Sequence, residues 1–117
     1  MTYVDGFILP VPEKNLDAYR QMAETAGKVW MDHGALAYVE AVADDVPEGK
    51  VTDFYRAVKR DEGETVVFSY VVYRSREHRD EVMKKVMEDP RLKMDPKSMP
   101  FDGMRMFWGG FKPIVEM

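Results

Sequence analysis

Arg105-Met106-Phe107-Trp108-Gly109-Gly110-Phe111, near the C-terminus, sets three aromatic residues and a methionine around a pair of glycines. The run alternates as a strand does, and glycine inside a strand marks a bulge or a close approach by another backbone or a ligand. At the other end, Tyr3-Val4-Asp5-Gly6-Phe7-Ile8-Leu9 carries a related Gly-Phe step followed by apolar residues and proline. Matching steps in two terminal strands predict neighbours in one sheet, with the rest of the chain folded between them.

Working inward, residues 3–9 read as a strand that Pro10 and Pro12, unable to donate to a ladder, bring to an end. Glu13–His33 reads as a helix whose apolar stripe is Leu16, Tyr19, Ala23, Ala26 and Trp30, with Met22 and Val29 alongside. Gly34 supplies its left-handed stop. Leu36–Ala43 reads as a second strand with two distinct faces. Ala37, Val39, Ala41 and Ala43 line one, small enough to let a helix lie close; Leu36, Tyr38, Glu40 and Val42 line the other. An acidic turn over residues 44–50 precedes an extended pattern at Phe54–Lys59. Asp61-Glu62-Gly63-Glu64 then turns the chain into Thr65–Tyr73, its most strand-like run. Ser75 is the expected N-cap of a helix over Arg76–Glu88, which Pro90 closes. Residues 90–103, with Pro90, Pro96 and Pro100, read as a long loop of the kind used for lids, binding loops or interface arms.

This order predicts an α+β protein with a ferredoxin-like β-α-β-β-α-β plan, residues 1–117 forming a single domain around an antiparallel sheet. Helices would cover one face. The other face is expected to carry Tyr3, Asp5, Phe7, Tyr38 and Phe107 or Trp108, too apolar for water. Sheet-to-sheet pairing of two subunits would bury it and enclose a space, giving a dimeric α/β barrel.

The chain has 117 residues, 45% of them apolar and 32% charged, which suits one globular domain with a modest core. No apolar run approaches the roughly 20 residues of a membrane span, and no basic segment precedes an apolar stretch at the start. A cytoplasmic protein is expected. The absence of cysteine rules out a disulfide framework, a thiol nucleophile and a thiolate metal site. A net charge of −4 argues against a general nucleic-acid binder, and the mixed charges of residues 74–97 read as a solvated face. His33 and His78 fall in no ligand spacing, so no metal site is expected. Gly109-Gly110 lacks the context of a nucleotide-binding loop, and no cofactor is expected. Met94, Met99, Met104, Met106 and Met117 crowd the last quarter, where a soft surface could meet a partner or ligand.

Several long motifs together resemble the bacterial YbaA-like family: Tyr3-Val4-Asp5-Gly6-Phe7, residues 34–47 (GALAYVEAVADDVP), Asp89-Pro90-Arg91-Leu92, Met99-Pro100-Phe101-Asp102-Gly103, and Arg105-Met106 through Gly109-Gly110-Phe111. The resemblance spans nearly the whole chain. It implies the dimeric α/β-barrel (ferredoxin-like) superfamily and a homodimer. The family is one of unknown function and brings no catalytic residues with it. Cofactor-free monooxygenases and isomerases share the superfamily, and a shared fold does not carry their chemistry over.

Candidate site residues follow from alternation. Asp5 and Glu40 are expected on the face away from the helices, where with Arg105 they would form a charged cluster inside the barrel. That cluster reads either as a general base or ligand anchor, or as a structural ion network. Tyr3, Tyr38, Tyr70 and Trp108 read either as an aromatic pocket for a ligand or as dimer packing. His33 is a helix-end residue and an acid/base candidate; His78 reads as a packing residue. Three functions are open on the sequence: a homodimer binding a small organic molecule between its sheets, a cofactor-independent oxygenase or isomerase acting on an aromatic or quinone-like substrate, and a purely structural dimer.

Overall fold

Gly6 and Gly109 lie directly opposite one another in a computed structural model that describes all 117 residues. They belong to β1 (Tyr3–Pro12) and β4 (Phe107–Phe111), paired antiparallel as the glycine steps predict. β3 (Glu64–Tyr73) flanks β1 on the other side, and β2 (Ala37–Val42) flanks β3. The result is an open four-stranded antiparallel sheet of order β2-β3-β1-β4. It does not close on itself, so β2 and β4 are free edges.

β1 runs through both prolines instead of stopping at Leu9. β4 pairs only with Val4–Ile8, so one flank of β1 is open beyond Ile8 and a missing N–H on that side costs no ladder bond. A single 3₁₀ turn, Glu13–Asn15, leads into helix α1 (Leu16–Asp32), slightly shorter than the expected Glu13–His33. Gly34, at φ +109°, supplies the left-handed stop. The extended stretch expected at Phe54–Lys59 is a short helix, α2 (Phe54–Ala57). Its cause is Asp53, whose carboxylate accepts from the Arg56 N–H at 2.7 Å and caps the turn. Helix α3 (Arg76–Glu88) starts at the predicted cap, the Ser75 hydroxyl accepting from the His78 N–H at 3.0 Å. Residues 90–103 contain two 3₁₀ turns, Pro90–Leu92 and Pro96–Ser98, each capped by the aspartate before its proline.

Helices α1 and α3 cover the opposite sheet face from the one expected. Their side carries Tyr3, Asp5, Phe7, Leu9 and Val11 of β1, Tyr38 and Glu40 of β2, and Val67, Val71 and Tyr73 of β3. Two clusters make the core. Val29, Trp30, Ala35, Val71, Tyr73, Val82 and Val86 form one, beneath both helices; Leu9, Val11, Tyr19, Ala23 and Val67 form the other, beneath the start of α1. The strands bring Tyr38 and Tyr73 to this side, and α1, which adds Tyr19 and Trp30 of its own, holds the small residues Ala23, Ala26 and Gly27, with Gly27 directly against the Tyr38 ring. That placement of the small residues is the reverse of the sequence expectation, and it is why the faces are exchanged.

The helix-free face is built in three rows by the strand register: Phe111-Val4-Val72-Ala37, Gly109-Gly6-Tyr70-Val39 and Phe107-Ile8-Phe68-Ala41. Phe68 and Phe107 are each 44% exposed and Phe111 is 65% exposed. Phe54 of α2 packs edge-on against Phe68, so the 43–63 segment reaches over one end of this face. No helix is long and apolar enough to cross a membrane.

Candidate functional site

Glu40, half-buried, lines a cleft between α1 and the free edge strand β2. The cleft has a volume of about 670 Å³ and an aliphatic lining that includes Leu16, Ala23, Met31, Val42 and Val67. That volume falls within the usual range for small-molecule sites. Two phenols hold the carboxylate: Tyr19 donates to Oε1 at 2.6 Å and Tyr38 to Oε2 at 2.5 Å. Burial first, and then the Glu40 carboxylate, push both hydroxyls well above the ordinary tyrosine range, so they stay protonated and act as donors.

Local sequence explains this geometry. Tyr38 and Glu40 stand two apart on β2 and therefore share a face, while Tyr19 reaches them from the first turn of α1. The Tyr38 ring lies across α1 at Gly27, where an added Cβ would come within 3.0 Å of Tyr38 Cδ1 and 3.2 Å of Cε1. Glycine inside a helix costs about 1 kcal/mol relative to alanine, so its presence here marks the close approach. Trp30, one turn on from Gly27, also packs against the Tyr38 ring, with ring centroids 5.7 Å apart. Gly27 was the signal for the cleft that reading the apolar stripe alone passes over.

Asp5 and Arg105 do not join Glu40. Asp5 lies fully buried beneath α3, with neither carboxyl oxygen in a hydrogen bond. Its nearest cation is Arg79, Nε 3.7 Å from Oδ1; Arg79 also donates to the Tyr3 hydroxyl at 3.2 Å and lies 3.5 Å from Asp80. Burial raises the Asp5 carboxyl above the ordinary aspartate value, with the Arg79 guanidinium pulling only partly against it. Gly110, opposite Asp5, makes room for this arrangement, since an added Cβ would come within 2.7 Å of Arg79 Nη2 and closer still to the Tyr3 hydroxyl. Arg79 went unnoticed in the sequence because it sits among mixed charges on α3. Arg105 instead makes a two-pronged pair with buried Glu64, 2.7 Å to each oxygen, and donates to Asp102 at 2.9 Å. That pair ties the segment before β4 to the start of β3.

The remaining candidates are also dispersed. Tyr3, Tyr38 and Trp108 lie on the helix side and Tyr70 on the helix-free side, so the four do not line one pocket. Trp108 stacks on Phe7 at the β4 edge, with centroids 6.0 Å apart, and leaves Phe107 to face outward. His33 caps α1, its Nε2 2.9 Å from Asp89 Oδ2. Asp89 is held well below the ordinary aspartate range, chiefly by Arg91 and then by His33. His78 is buried, its Nδ1 accepting from the Arg74 N–H at 2.9 Å, as befits a packing residue. No group of three or more carboxylates and histidines is placed to hold a metal ion.

Residues 2–103 match the model of the family described as Protein of unknown function (DUF1428), a match that ends before β4. The chain is 53% identical over 116 residues to "Uncharacterized protein YbaA" of Escherichia coli (strain K12), with 99% of each chain covered. It has the same identity and coverage with "Uncharacterized protein YbaA" of Shigella flexneri. Among solved structures, "De novo designed protein Foldit4" aligns with a TM-score of 0.47 and 11% identity over 96% of this chain and 97% of that one. A match over most of the length, with relatives at this identity, places the chain in the DUF1428 family, to which it belongs.

Proposed function

We propose that this chain binds a small organic molecule in the cleft between α1 and β2, acting as a cytoplasmic homodimer with a ferredoxin-like subunit. The observation that carries the reading is Glu40, a carboxylate in a cleft with an apolar lining of Leu16, Ala23, Met31, Val42 and Val67, fixed by Tyr19 and Tyr38. Small-molecule sites combine an apolar lining with a few converging polar groups in this way. The site thus belongs to each subunit and does not lie between two sheets. Within hydrogen-bond reach of Glu40 the only titratable groups are the two phenols, and these stay protonated. With no second group positioned to pass a proton on, the geometry favours binding over turnover.

The dimer rests on the helix-free face. Val4, Ile8, Val39, Phe68, Tyr70, Phe107 and Phe111 share this face, with Phe68, Phe107 and Phe111 exposed, and clustered exposed rings of this kind mark interaction surfaces. Packing sheet against sheet would bury it, and the strand order β2-β3-β1-β4 with both helices behind suits an α/β barrel made by two copies. A cysteine-free composition suits the cytoplasm.

Native mass spectrometry of the protein purified from its host tests both parts. The expected particle is two chains carrying a small-molecule adduct, with the adduct lost in a Gly27→Leu variant that fills the cleft. An adduct retained by that variant would place the ligand elsewhere, and a stable bare monomer at micromolar concentration would remove the dimer.

A further inference from the structure

The chemistry around Glu40 specifies what the cleft takes. Both phenolic hydrogens are spent on the carboxylate, so these side chains offer a ligand acceptors only. No lysine, arginine or histidine nitrogen lies within 4.0 Å of Glu40, unlike Asp5, Asp53, Glu64 and Asp89, each of which has a cationic partner. Within hydrogen-bond reach its charge is therefore met by two neutral donors alone. Along the α1 rim, Arg20, Glu24, Lys28 and Asp32 alternate in sign at four-residue steps, so the rim adds no net charge to oppose or replace that of Glu40. The rest of the lining is aliphatic.

Resting on the binding reading above, we propose that the ligand is an organic amine, its ammonium group set on the free lone pairs of Glu40 and its apolar body laid along Leu16, Ala23, Met31 and Val42. An ammonium supplies the missing positive charge together with several N–H donors, and charge-assisted hydrogen bonds of this kind are the strong ones. An alcohol would supply one donor without the charge. A carboxylate would bring a second negative charge against Glu40.

Three probes of one shape separate these cases: 2-phenylethylamine, 2-phenylethanol and 3-phenylpropionate. Each is titrated at pH 7 into the ¹⁵N-labelled full chain, following the backbone amides of Gly27, Tyr38, Glu40 and Ala41. The expected result is that the amine moves these amides and binds about tenfold or more tightly than the alcohol, while the acid leaves them in place. Glu40→Gln should reduce the amine to the level of the alcohol without weakening the alcohol. Equal binding of amine and alcohol, or tighter binding of the acid, overturns the amine and keeps the cleft as a site. Failure of all three probes to move these amides overturns the cleft as well. Should Glu40→Gln not fold, the wild-type ranking of the probes decides alone.

Discussion

Replacing Gly27 with alanine sets two effects of known sign against each other. In an exposed helix the change gains about 1 kcal/mol from propensity. Here the new methyl would press on the Tyr38 ring at 3.0 Å, inside the roughly 3.5–4.0 Å at which carbon atoms pack best, and the ring carries the hydroxyl that donates to Glu40 at 2.5 Å. A hydrogen bond to a charged group contributes roughly 1.5–3 kcal/mol, so displacing it outweighs the propensity gain. The net expectation is a loss of roughly 0.5–2 kcal/mol, a fall of several degrees in Tm for a domain of this size. The contact is isolated by a double-mutant cycle with Tyr38→Ala, read by thermal and urea melts. Once the ring is gone the alanine should stabilise, by about 1 kcal/mol. A gain in the wild-type background equal to that in the Tyr38→Ala background would refute the close approach of Tyr38 to α1.

Arg105→Met should cost roughly 2–3 kcal/mol, because it leaves buried Glu64 without its two-pronged partner; a melt unchanged from wild type would count against that pair. Arg105 holds the Glu64 carboxyl below its ordinary value, so the pair's stabilisation is complete above the ordinary glutamate pKa and fades as pH falls through the lowered one. Acid titration of the melt should show this fade in the wild type and lose it in the variant. Asp5 has the opposite sign: its raised carboxyl favours the fold below the ordinary aspartate pKa, and that contribution is lost as pH rises through the raised value. Asp5→Asn, neutral at every pH, should therefore melt at or above the wild-type temperature at pH 7, Arg79 keeping Tyr3 and Asp80; a drop of many degrees would show instead that the Asp5–Arg79 pair supports the fold. Phe107→Glu should shift sedimentation at micromolar concentration from two chains to one with little change in fold, whereas Trp108→Glu should leave the assembly intact; reversed outcomes would place the interface on the wrong face.

The joining of the two chain ends is legible in sequence, because glycines matched in register leave a mark that composition cannot imitate. Helix α3 is legible for a similar reason, since Ser75, the apolar steps and Pro90 all agree. The orientation of the sheet is not. Alternation divides Asp5 and Phe7 from Gly6 and Ile8, and Tyr38 and Glu40 from Val39 and Ala41, but it does not say which set meets the helices. Size complementarity decides that, and here α1 offers Ala23, Ala26 and Gly27 where the Tyr38 ring of β2 comes against it. Glu40 and Tyr38 stood out in the sequence as polar and aromatic residues sharing one strand face. Tyr19 was hidden in the apolar stripe of α1, where its ring belongs, and only the fold shows its hydroxyl turned to Glu40. Asp5 and Arg105 each found a different partner, Arg79 and Glu64, because ion pairs across a fold depend on tertiary distances that spacing does not encode.

A crystallographic fragment screen puts the central claim to the most direct test. Soaking a few hundred small, chemically varied compounds samples the whole surface without favouring any one site. Hits are expected to cluster between α1 and β2, with an N–H or ammonium donor on Glu40 and an apolar body against Leu16, Ala23 and Met31. Hits gathered elsewhere, with the space around Glu40, Tyr19 and Tyr38 left empty, would contradict the claim.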